Sequence, residues 1–160
     1  MKKIVALPAH PPRSNAYRNI AWVYAAILTV MAVGQLFSFE KFIPLITNYS
    51  LPGGHGTGVL AASLIVIFEV LALPYLLRMP LSPLMRWVSL LCGFLVAVLW
   101  IGLAITVLTH ASWVHNSGML GLKIVVPAGV VSLFVSLVLM ALAIISVVGL
   151  YPSLKNIRES

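Results

Sequence analysis

Four apolar segments, residues 19–39, 58–77, 87–108 and 124–150, take up most of this 160-residue chain, and each is long enough to cross a bilayer. A helix rising ~1.5 Å per residue needs about twenty residues to traverse the ~30 Å hydrocarbon core, so the fourth has length to spare. Their apolar character continues around every face, as in a spanning helix and unlike an amphipathic surface helix. With 61% hydrophobic and 8% charged residues overall, the stretches between them are too short to hold a soluble domain. The expected fold is an all-α membrane protein. It is one four-transmembrane-helix bundle over 19–150, preceded by a proline-containing arm at 1–18 and followed by a tail at 151–160.

The formal charge of +7 is distributed unevenly. Four crossings put Lys2, Lys3, Arg13, Arg18, Arg78, Arg86, Lys155 and Arg158 on one side, and only Lys41 and Lys123 on the other. That asymmetry follows the positive-inside rule, with both termini and the short second loop cytoplasmic. The partners expected for these bases are the anionic headgroups of a lipid bilayer, not nucleic acid. Lys2 and Lys3 precede only a short apolar stretch before Pro8, so no cleavable signal peptide is expected and the first span stays in place.

Glu69 is the only acidic residue inside the apolar segments. A charge at that depth costs several kcal/mol unless it is paired or protonated, so the carboxyl is expected to face other helices. Counting residues from the helix ends puts Thr29, Trp100, Ser132 and Ser136 near its level. Gln35 falls about 10 Å nearer the outer surface, so direct contact would need tilt or a water. These six residues form the candidate intramembrane polar site. No Lys or Arg lies at that depth, and a lone carboxyl there is expected to be neutral. Two readings stay open: a group that handles a proton, cofactor or substrate, and a protonated hydrogen bond between helices. Pro74 removes the donor that would serve the Val70 carbonyl, leaving an acceptor beside Glu69.

The other residues suggest packing more than chemistry. Ala128, Ser132 and Ser136 make a small-residue stripe on the last span, with Gly93 and Ala97 on the third. Pro127 is expected in the first turn of its helix, where a missing donor costs little. Between the first two spans, Phe42, Ile43, Leu45, Ile46 and Tyr49 form either a short helix in the outer interface or a hydrophobic turn packed on the bundle. The single Cys92 has no resolving thiol in the chain, so a dithiol cycle is excluded and a packing role expected. His55, His110 and His115 match no metal motif, and there is no Asp and no glycine-rich phosphate loop. No catalytic residue, metal or resident cofactor is therefore expected.

The stretch GQLFSFEKFIPLITNYSLPGG, followed by LIVIFEVLALPYLL, resembles the first half of DoxX-like membrane proteins, especially their methylamine-utilisation MauE branch. Gly34, Leu36, Phe42, Tyr49, Leu51, Pro52 and Glu69 fall where that pattern expects them. Gln35 stands where the family usually carries lysine, so a Lys–Glu pair is not carried over. The resemblance covers about residues 30–78 and implies a multi-pass protein of the prokaryotic cytoplasmic (inner) membrane. It further implies a non-catalytic accessory role in the maturation or electron flow of a periplasmic redox protein, such as a methylamine-dehydrogenase-type or thiol-redox partner. Phe42, Tyr49, Leu51 and Pro52 are the expected docking residues. The alternative is a small proton-coupled transporter or quinone-binding subunit built around Glu69.

Overall fold

The structure is a computed structural model that describes residues 12, 14–49, 51, 53–110 and 114–150. It contains α1 (Asn15–Leu36), α2 (Phe39–Thr47), α3 (His55–Leu76), α4 (Pro83–His110) and α5 (Val130–Leu150). The four longer helices have the length and apolarity to cross a membrane, which is the character of a multi-pass membrane protein. Around the bundle, α1 packs on α3 and α5, and α4 packs on the same two, so α1 and α4 face each other across the diagonal. Tyr24 crosses that diagonal: its hydroxyl donates to the Gly93 carbonyl at 2.6 Å. The short α2 packs against α3.

Lipid tails are as apolar as leucine, so burial here selects for close approach and hydrogen bonding more than for hydrophobicity. The last helix shows this plainly. Ser132, Ser136, Leu139, Ala143, Ser146 and Gly149 are buried, while Phe134, Leu137, Val138, Ile144, Ile145 and Val148 face outward. Gly149 lies against the Tyr17 ring, where a β-carbon would collide with it. Gly93 similarly admits Ala72 of α3, whose β-carbon sits 3.4 Å from the place a Gly93 side chain would begin.

Several boundaries differ from those read off the sequence. α1 begins at Asn15 and so takes the last residues of the expected arm. It stops at Leu36, and Phe39 belongs to α2. The fourth span starts at Val130 instead of 124, and Pro127 and Ala128 lie outside it. The cause is local pairing. Ser117 N–H donates to the Val126 carbonyl at 2.8 Å and Ala128 N–H to the His115 carbonyl at 3.2 Å, around an Asn116–Pro127 bridge. The Asn116 side-chain oxygen accepts from Gly118 N–H at 3.1 Å and Val126 N–H at 3.3 Å. These bonds hold residues 114–129 as a folded cap instead of an extra helical turn.

Pro74 lies inside α3 and brings no N–H to the Val70 carbonyl, as expected, and the next pair along the helix is met by a side chain from α4. Ser89 of α4 donates its hydroxyl to the Leu71 carbonyl at 2.6 Å and accepts from Tyr75 N–H at 3.0 Å, so one side chain bonds both ends of the helical pair that follows the proline's missing donor. The helix then closes in a Schellman motif. Arg78 N–H donates to the Tyr75 carbonyl at 3.1 Å and Met79 N–H to the Pro74 carbonyl at 2.9 Å. The left-handed position of that motif is held by Arg78, at φ 58°, where glycine would avoid a cost of about 1–2 kcal/mol.

Candidate intramembrane polar site

Glu69, Gln35 and Trp100 meet at the centre of the bundle, each at most 1% exposed. Glu69 lies on the buried stripe of α3 with Ile65, Ala72 and Leu76. Its Oε1 accepts from Gln35 Nε2 at 3.1 Å and, more weakly, from Trp100 Nε1 at 3.4 Å. The axial gap expected between Gln35 and Glu69 is closed by the side chains themselves. A helical side chain leans toward its own N-terminus. In antiparallel α1 and α3, Gln35 and Glu69 therefore lean toward each other. No water is needed between them.

Gln35 has a second task. Its Nε2 also donates to the Met119 carbonyl at 3.0 Å, tying the cap to the bundle centre. Met119 and Ser117 are buried, and Tyr49 donates its hydroxyl to the Ser117 carbonyl at 2.9 Å. Burial pushes the Tyr49 phenol well above the ordinary tyrosine value, so it remains a donor across physiological pH. The approach depends on glycine. Gly118 and Gly121 adopt φ of 79° and 74°, and a β-carbon on Gly34 would lie 2.7 Å from the Leu120 carbonyl oxygen.

The other expected members of the site are not brought to Glu69. Thr29 is turned outward and donates to the Ala25 carbonyl of its own helix. Ser132 and Ser136 are buried, but donate to the Gly129 and Ser132 carbonyls at 2.9 and 2.6 Å. A hydroxyl can always return to its own helix, so depth alone was a poor guide to its partner. In their place the structure supplies the Met119 carbonyl. The sequence signal for it was the pair of glycines around Met119, which let that backbone come close.

Phe42 and Tyr49 are buried against the cap and α3, so they secure the outer region internally and offer no docking surface. Leu51 is half-buried, and Pro52 lies outside the described residues, as do Trp113, the tail at 151–160 and most of the arm. Exposed on α2 instead are Glu40, Lys41 and Pro44, with Asn48 just after it. His55, His110 and His115 are exposed, and among the described residues no three metal-ligating groups converge. Cys92 is buried in α4.

Chemically, one carboxyl is served by two donors on a single oxygen. Glu69 Oε2 and Gln35 Oε1 have no hydrogen-bond partner among the described residues. A carboxylate offers only acceptors, whereas a carboxylic acid carries one O–H donor. The arrangement can thus hold a proton, and among the described residues no second acid or base hydrogen-bonds to Glu69. Compared with protein-family models, with curated proteins and with solved structures, the chain matches none.

Proposed function

We propose that the chain is a non-catalytic accessory protein of the DoxX-like, MauE-related kind. In this reading it sits in the cytoplasmic membrane with both ends inside, and assists maturation or electron flow of a periplasmic redox protein. The observation that carries the reading is the use made of the polar site. Gln35 bridges Glu69 to the Met119 carbonyl, so the buried hydrogen bonds fix a cap over one end of the bundle. Positions 35 and 69, where the resemblance expects lysine and glutamate, are in contact, which supports it further. The cap and the exposed side of α2 then form a firm platform for a partner.

Photo-crosslinkers at Lys41 and Asn48 are expected to capture a periplasmic redox protein in cells. Lys41→Glu should lower that partner's activity several-fold while leaving the bundle's thermal stability unchanged. Unchanged partner activity, with no redox protein captured from either position, would overturn the accessory reading. One observation favours the alternative. A groove of about 500 Å³ runs along α1 beside Thr29, Val30, Val33, Phe37, Leu120 and Ile124, a shape and polarity that suit a quinone. Purified protein carrying stoichiometric quinone, lost on Val33→Trp, would favour that role.

A further inference from the structure

At the opposite end of the bundle, a cleft of about 580 Å³ opens between the first turns of α1 and the end of α3. It is lined by Arg18, Asn19, Trp22, Leu77 and Arg78. Its size falls within the ~300–1,000 Å³ of ordinary ligand sites. Arg18 and Trp22 are one turn apart on α1 and share a face. Arg78 reaches the cleft from the left-handed position of the Schellman motif, where glycine is the less strained residue. No acidic residue among the described residues lines it.

From this convergence we infer that the cleft binds the phosphate-bearing headgroup of an anionic phospholipid. Two guanidinium forks suit phosphate oxygens, and the Asn19 amide adds a neutral donor. The positive end of the α1 dipole favours an anion at the same place. The ligand is a lipid and not free phosphate because half of the wall is apolar and outward-facing: Trp22 is 59% exposed and Leu77 39%. Such a wall suits the first carbons of an acyl chain, and tryptophan is at home at headgroup level. This site is independent of the accessory reading and holds whichever partner the other end engages.

The test is native mass spectrometry of the full chain with phosphatidylglycerol or phosphatidylcholine of matched acyl chains, with and without inorganic phosphate. One phosphatidylglycerol should be retained in preference to phosphatidylcholine. Arg18→Gln and Arg78→Gly should each weaken that binding about fivefold, the share of one surface arginine. Arg86→Gln, at the same end but outside the cleft, should leave it unchanged. Glycine accepts the backbone at 78, and melting temperatures are measured alongside: a binding loss counts only in a variant at least as stable as the parent, and Arg18→Gln alone decides the test if Arg78→Gly melts lower. Three results would overturn the site: equal retention of the two lipids, an Arg86→Gln loss as large as that of Arg18→Gln, or displacement of the lipid by millimolar phosphate.

Discussion

Glu69 presents two oxygens to the bundle, and the structure serves only one of them. An amide at position 69 keeps an acceptor and adds a donor, so Glu69→Gln should cost no more than about 1 kcal/mol. Glu69→Lys instead places an unpaired charge among apolar side chains and should cost about 2.5–3.5 kcal/mol. Thermal melting of both variants in detergent checks this, and parent-like behaviour of Glu69→Lys would contradict the burial. At this scale the sequence was informative about Glu69 and Trp100, whose depth and chemistry left few options. It named Gln35 but set it too far from Glu69, because counting along an axis ignores where a side chain leans. It was misleading about Thr29, Ser132 and Ser136, whose hydroxyls donate to carbonyls three or four residues back in their own segments.

Helices α1, α3 and α4 were legible because membrane length is a strong constraint, whereas the cap over 114–129 was not. Its apolar run before Gly129 reads as the start of a span, and only hydrogen bonds to Asn116 and His115 show otherwise. Gly34 of α1 is one place where the seating of this element is exposed to mutation. A β-carbon there meets backbone at Leu120, which cannot swing aside, so Gly34→Ala should destabilise by about 1–3 kcal/mol. Gly102 in α4 has open space around its missing side chain, and Gly102→Ala should raise stability by up to about 1 kcal/mol. Detergent melting of the pair separates close packing from helix propensity. Equal effects of one sign would contradict the Gly34–Leu120 contact. Loss of the Tyr49 bond through ionisation should require strongly alkaline conditions, since a raised phenol pKa keeps that stability below the ordinary tyrosine value and loses it only as pH climbs beyond.

For the whole molecule, four helices are long and apolar enough to cross a membrane, and the bias of lysine and arginine predicts that both ends of the chain lie on the cytoplasmic side. Reporter fusions after Ser50 and Asn116 should report the outer side, and fusions after Pro80 and Ser160 the inner. An external C-terminus would contradict the span count. Fold class was readable from composition, but the arrangement of helices was hidden, because spans apolar on every face leave no stripe to orient them. What orients them is the set of small and hydroxyl residues turned inward. In the most apolar stretch of α5, only 28% of residues are buried. The remainder answers to solvent matching alone, and one branched hydrocarbon serves there as well as another. A chain under this constraint can exchange most of its large side chains over time and stay the same object, provided a few hydroxyls and a few missing methyl groups are inherited. Its identity is written in what it leaves out.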